Sequence, residues 1–185
     1  QRCIGDVVAG GGRGRGREMV LAFAEHGADV VIASRKIDAC EELAEEVRDT
    51  TGQRALPVAC HVGYWDQCDD LCETVYSEFG RCDVLVNNAG ILATETTQDI
   101  ETTTLAQWRA VQQVNVEGVF MGCQMAVRIM KKTGGSIVNI SSTAGIVGEP
   151  SLVAYCASQG AVRLMTTVVA LHCARNRYHN RRSSV

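Results

Sequence analysis

Short apolar runs alternate along this chain with segments of helical period, and few folds accommodate that alternation. Val7-Val8, Val30-Val31-Ile32-Ala33, Ala55 to Cys60, Val84-Leu85-Val86 and Ser136 to Ile140 read as strands. Between them lie helical stripes: Met19, Val20 and Phe23 within Glu18 to His26; Leu43, Ala44 and Val47; Leu71, Val75 and Phe79; and a long one over Leu105 to Met130 through Trp108, Val111, Val119 and Phe120. Tyr155 to Cys173 reads as the last helix. Strands that are apolar throughout are covered on both faces, and a helix between successive strands carries the chain back for parallel pairing. The expected architecture is α/β: a doubly wound parallel sheet with helices on both faces and ligands at the carboxyl ends of the strands. No repeat, low-complexity linker or second domain interrupts it, so residues 1–185 read as a single domain.

Composition excludes several functions. Net charge is −3, with apolar residues at 46% and charged residues at 21%, so no basic footprint for nucleic acid is present. The one strongly basic stretch, Arg175 to Arg182, reads as solvated surface. No window approaches the ~18 apolar residues of a membrane span. No secretory leader opens the chain; it starts at Gln1, which leaves a processed, trimmed or incomplete start open. The nine cysteines form no CxxC pair and sit mostly among apolar residues, as Cys60, Cys123 and Cys156 do; a reduced, cytoplasmic setting is expected. Cys60, His61, Cys68 and Cys72 match no standard zinc spacing, so no metal is expected.

Gly10-Gly11-Gly12-Arg13-Gly14-Arg15-Gly16 joins the first strand to the first helix. Glycines there permit a tight turn and close approach of the backbone to a pyrophosphate, while the helix N-terminus offers free amides and a positive dipole end. Alone, such a loop is equally well a flexible turn; its strand–loop–helix setting favours a dinucleotide. The second strand ends in Ala33-Ser34-Arg35-Lys36, with no carboxylate to grip a ribose 2′-hydroxyl. Arg35, aided by Arg13, suits a 2′-phosphate, so NADP is expected, with NAD as the alternative. A merely solvated loop would carry the same charges.

From about Val7 to His172 the chain resembles the short-chain dehydrogenase/reductase family, which implies a Rossmann-type sheet. Asn87-Asn88-Ala89-Gly90 resembles the family's NNAG segment, and Asn115 in Val114-Asn115-Val116 the Asn of its catalytic tetrad. Ile140-Ser141-Ser142 resembles its serine segment, and Tyr155 follows Ser142 at the family's spacing, which selects Ser142 over Ser141. The resemblance implies Asn115, Ser142 and Tyr155 as catalytic residues. It implies a cofactor held by Gly10, Gly12, Arg13, Gly14, Arg15, Gly16, Ser34, Arg35, His61, Val62, Asn88, Ala89, Gly90, Tyr155 and Gln159. Hydride transfer between a ketone and a secondary alcohol is the implied reaction, with Tyr155 moving the proton and Ser142 hydrogen-bonding the oxygen. Gly148 to Tyr155 and Ala170 to Ala174 look most like the secondary-alcohol and hydroxysteroid branch, although 3-oxoacyl-thioester reductases share most of these motifs.

The chain departs from the family at several points. Ala9 stands where the family has Thr, Arg15 where an apolar residue is usual, and His61 where an Asp contacts adenine. Asp6 puts a charge inside the first strand. The family's Lys, one helical turn after the Tyr, is Gln159. That Lys holds the nicotinamide ribose and favours the phenolate. Gln159 can hydrogen-bond a ribose but carries no charge. A free phenol ionises near ~10, so about one in a thousand is phenolate at pH 7. Alcohol oxidation, which needs the base, is expected to suffer more than reduction, which needs the acid.

The resemblance implies two more strands and a substrate-covering segment beyond the matched region. Arg181 to Val185 fit the next strand poorly, so a sheet lacking its last strands is expected. A catalytically inactive nucleotide- or partner-binding member, and an incomplete chain, stay open as readings. Family members pair through long helices, which implies a homo-oligomer, but the Trp108, Val111 and Val119 stripe is read mainly as core.

Overall fold

A computed structural model describes residues 5–92, 99–131 and 133–175. Its centre is a five-stranded, wholly parallel sheet: β1 Gly5–Ala9, β2 Asp29–Ser34, β3 Ala55–Ala59, β4 Val84–Asn87 and β5 Ser136–Asn139. The order is β3-β2-β1-β4-β5, so the chain reverses its direction of travel beside β1. That reversal opens a crevice at the carboxyl ends of β1 and β4, where ligands of such sheets bind. Every apolar run expected to be a strand is one. Arg181 to Val185, expected to fit a further strand poorly, lie outside the described residues.

The helices are α1 Gly14–Glu25, α2 Ile37–Thr51, α3 Trp65–Phe79, α4 Leu105–Gln112, α5 Gly118–Met130 and α6 Val153–Arg175. The sheet separates two cores. Val8, Val20, Val30, Ile32, Leu43 and Val47 pack on the side of α1 and α2. Val7, Val31, Leu71, Val75, Leu85, Val119 and Val162 pack on the other, under α3, α5 and α6. Adjacent residues Val7 and Val8 face opposite cores because side chains alternate along a strand.

Two helices differ from expectation. α1 begins at Gly14, inside the glycine loop, and its buried stripe is Gly16, Val20 and Ala24. Met19 and Phe23 are only partly buried beside it. Small residues in that stripe let α1 lie close to the sheet. The predicted helix over Leu105 to Met130 is broken by a π-helical turn at Gln113–Glu117, between α4 and α5. A turn of this kind accommodates about one extra residue, roughly 100° of helical phase. Val111 and Val119 therefore come onto one side and are buried, while Trp108 is 36% exposed. The expected stripe is thus core at two of its three positions.

Among the described residues no helix is long and apolar enough to cross a membrane, and no group of three His, Cys, Asp or Glu is placed to hold a metal.

Candidate active site

Four loops converge on a cleft of ≈ 330 Å³ at the carboxyl edge of the sheet. Gly10, Arg13 and Gly14 line it after β1, Ser34 and Arg35 at the end of β2, Cys60, His61 and Val62 after β3, and Asn88, Ala89 and Gly90 after β4. Each is the first stretch of chain beyond a strand end, which is why residues so far apart in sequence meet. Ile91 and Val114 complete the wall; the sequence offered no sign of them beyond their place beside Gly90 and Asn115.

The glycines hold the loop against α1 and β4. Gly10 has φ +76°, and a Cβ there would meet the Ala89 backbone at 2.9 Å. A Cβ on Gly16 would lie 2.1 Å from the Gly10 carbonyl oxygen, so any side chain at 16 pushes the loop off the helix. The Asn88 carboxamide donates to that same oxygen at 3.2 Å, tying the β4 loop to the glycine loop. α1 has no side-chain cap and no acidic residue in its first turn. Its N-terminus is therefore open to an anion. Gly12, Arg15 and Gly16 do not line the cleft itself, and Arg15 is exposed.

Two positive charges stand at the β2 end. Arg17 is bound to Glu46 at 2.6 Å and Arg81 to Asp83, whereas among the described residues Arg13 and Arg35 make no ion pair. His61 packs against Tyr64 with ring centroids 4.5 Å apart and the ring planes tilted by 41°, and its Nδ1 accepts the Gly63 amide at 3.1 Å. An accepting Nδ1 carries no proton in the neutral ring, which leaves Nε2–H as a donor.

Asn115 lies in the π-turn, 1% exposed. Its carboxamide donates to the Ile91 carbonyl at 2.9 Å and to Ser158 Oγ at 3.0 Å, and it accepts from the Ile91 amide at 2.8 Å. All its side-chain groups are engaged, so its side chain clamps the β4 loop to α6. A second buried chain lies behind it. Asn87 donates to Asn139 at 2.8 Å, Asn139 to Thr166 Oγ1 at 2.9 Å, and Thr166 to the Val162 carbonyl at 2.8 Å. This chain fixes α6 against the ends of β4 and β5. Gly122 leaves it room, since a Cβ there would lie 2.2 Å from Asn87 Oδ1. Sequence reasoning missed Ser158, Asn139 and Thr166; Asn139, at a strand end, is the one signal that was available.

α6 carries Tyr155, half-buried, and Gln159, one turn on. Ser142 caps the short 3-10 turn Thr143–Gly145, its Oγ accepting the Ala144 amide at 3.2 Å. Ser141 instead donates to the Gln159 backbone carbonyl at 3.1 Å. Ser141 is thus committed to holding β5's loop on α6, and the Ser142 hydroxyl keeps its proton to give. Gln159 is 5% exposed, and its Oε1 is buried without a hydrogen-bond partner. Such an orphan acceptor costs about 1–3 kcal/mol unless something donates to it.

A parallel sheet whose phosphate-suited helix end and paired loops open on one crevice, with Tyr155 on α6 and Ser142 after β5 outside the residues that line it, is that of a dinucleotide-dependent oxidoreductase of the doubly wound class. The chain belongs to the short chain dehydrogenase family, whose model matches residues 6–177. It is 38% identical over 182 residues to an NADP-dependent (R)-specific alcohol dehydrogenase of Lentilactobacillus kefiri, spanning 97% of this chain and 70% of that protein. It is 34% identical over 179 residues to a 3-beta-hydroxysteroid dehydrogenase of Comamonas testosteroni, spanning 97% and 68%. A crystal structure of a short-chain type dehydrogenase/reductase from Mycobacterium marinum superposes with a TM-score of 0.87 at 32% identity, over 94% of this chain and 70% of that one.

Proposed function

We propose that the cleft binds NADP and that the chain interconverts a ketone and a secondary alcohol. The observation that carries the reading is the cleft at the carboxyl edge of the sheet, where Gly10, Arg13, Arg35 and the Asn88-Ala89-Gly90 loop meet beside the uncapped N-terminus of α1. The residues that line it fit the dinucleotide. The open N-terminus of α1 suits the pyrophosphate. Arg13, Ser34 and Arg35 suit a 2′-phosphate, to which a guanidinium can bind with two hydrogen bonds. His61 and Val62 would lie against the adenine, and Asn88, Ala89 and Gly90 against the adjoining ribose. A nicotinamide bound there would supply or accept the hydride. Ser142 donates to the substrate oxygen, and Tyr155 gives or takes its proton. Asn115 positions this edge through its hold on Ile91 and Ser158. The resemblance to dehydrogenases of alcohols and hydroxysteroids supports the substrate class.

A titration followed by nicotinamide fluorescence tests the reading. NADPH is expected to bind at least about tenfold more tightly than NADH, and Arg35→Ala to cost about 1–2 kcal/mol with NADPH while leaving NADH nearly unchanged. Equal loss with both would remove the 2′-phosphate assignment, and no binding of either would remove the function. Tight binding without turnover would favour the second reading, an inactive nucleotide-binding member, which the uncharged Gln159 itself favours.

A further inference from the structure

Two neighbouring residues at the start of the π-turn reach different parts of the site. Gln112, the last residue of α4, donates from its carboxamide to the Ala154 carbonyl at 3.1 Å. That carbonyl belongs to the peptide group joining Ala154 to Tyr155. The carbonyl of Tyr155 itself accepts the Ser158 hydroxyl at 2.7 Å, and Ser158 Oγ accepts from Asn115 at 3.0 Å. Both peptide groups that flank Tyr155 are therefore held from residues 112–115, one directly and one through Ser158. Val111 and Ala154, each fully buried, pack together beside the direct bond.

Gln113 points elsewhere, because successive helical residues are turned by about 100° and so serve different faces. Its carboxamide donates to the Gly63 carbonyl at 3.0 Å, and the Gly63 amide donates to His61 Nδ1 at 3.1 Å. Gly63 is closed in between the two: a Cβ there would meet Gln113 Cγ at 3.0 Å and His61 Cε1 at 3.1 Å. Val62 is seated in a similar way just beyond the π-turn, where a Cβ on Gly118 would meet it at 2.9 Å. Both partners of the two glutamines are carbonyls, so each carboxamide must turn its N–H end toward them.

We propose that Gln112 and Gln113 are positioning residues. Gln112 sets the helical turn that carries Tyr155, and Gln113 sets the turn that brings His61 and Val62 to the cleft wall. The π-turn thereby fixes the spacing between the Tyr155 edge and the far wall of the cleft. Its extra residue lets neighbouring side chains reach both, while Asn115 holds the β4 loop between them. The consequences for rate and affinity rest on the proposed function; the two holds do not.

Gln112→Met and Gln113→Met test it, since Met keeps the length and helix propensity of Gln and cannot donate. Each variant loses one half-buried hydrogen bond, so a merely structural role predicts the same behaviour for both. Hydrogen exchange in the nucleotide-free protein is read first. Gln112→Met is expected to speed exchange at least about threefold over residues 154–158 and to leave 61–64 unchanged, and Gln113→Met to do the reverse. In the reduction of cyclopentanone by NADPH, Gln112→Met should lower kcat about fivefold and keep the Kd for NADPH within about twofold. Gln113→Met should raise that Kd about fivefold and keep kcat at saturating NADPH within about twofold. Adenosine 2′,5′-bisphosphate, which carries the adenine half alone, should lose as much affinity as NADPH in Gln113→Met and none in Gln112→Met. Faster exchange at both turns in either variant, or at neither, overturns the proposal, as do equal losses of kcat and affinity in the two variants. A wild-type chain that binds no NADPH would remove the proposed function, while the exchange pattern still decides the two holds.

Discussion

Gln159→Lys is expected to raise the kcat for alcohol oxidation at pH 7 at least about tenfold, and the kcat for ketone reduction less than about threefold. Gln159 and Tyr155 are one turn apart on α6 and share a face. An ammonium within ~4 Å of a phenol, at an effective dielectric of ~20, is worth up to about 4 kcal/mol toward the phenolate before its own desolvation is subtracted. In the proposed reaction oxidation would use Tyr155 as a base and gain from that charge, whereas reduction would use it as an acid. An enzyme cannot move an equilibrium, so the gain belongs in kcat and in the pH profile rather than in the ratio of the two kcat/KM values. The rise of the oxidation rate with pH should move at least about one unit toward neutrality. Steady-state rates in both directions between pH 6 and 10 check this. An unmoved profile, or kcat gains of equal size, would show that Gln159 does not limit the proton step.

Removing the charge of Asp6 should stabilise the fold, and by an amount that depends on pH. Asp6 lies within β1, 2% exposed, with Oδ1 buried and unpartnered. Asp29, equally buried at the start of β2, is better placed because its carboxylate accepts the Arg54 amide at 2.9 Å. Burial first, then the charge of Asp83, push the Asp6 carboxyl from 3.8 up to about 7, against a lowering contribution from the Val84 amide. The folded chain thus holds this proton more tightly than the unfolded one. Below pH ~4 both states are protonated and nothing is lost. Between pH 4 and 7 the unfolded chain ionises first, and stability falls by up to about 1.4 kcal/mol per unit, about 4 kcal/mol in all. Asp6→Asn should therefore gain about 2–4 kcal/mol at pH 8 and almost nothing at pH 4. Urea unfolding at the two pH values reads the difference; a gain of equal size at both would show that the proton is not its cause.

What the sequence disclosed about this chain follows from the range of the forces involved. Strand positions were legible because burial on both faces writes itself into consecutive residues such as Val30 to Ala33. The cleft was legible at Gly10, Ser34, His61 and Asn88 because strand ends in a parallel sheet share one edge. The buried chain from Asn87 to Asn139 to Thr166 was not, since its links join residues 52 and 27 positions apart. The π-turn was also hidden. A straight helix puts Trp108 and Val119 nearly in phase, and only the extra residue moves Val119 round to Val111. Loop orientation was a further gap: Arg15 belongs to the phosphate loop by sequence, yet it stands in solvent outside the cleft wall.

The sheet's two cores also differ in when they can close. The fully buried residues beneath α1 and α2 all come from between Val8 and Val86, whereas those on the opposite face extend from Val7 to Val162. Loops that must be drawn shut over longer stretches cost more entropy before any contact rewards them. The α1–α2 side is therefore expected to acquire protection first when the chain refolds, and pulsed hydrogen exchange would show α2 amides protected ahead of those in α5. Early protection of α5 would reverse that order. On this account the nucleotide-phosphate half of the molecule is kinetically older, within each folding event, than the half that carries Tyr155.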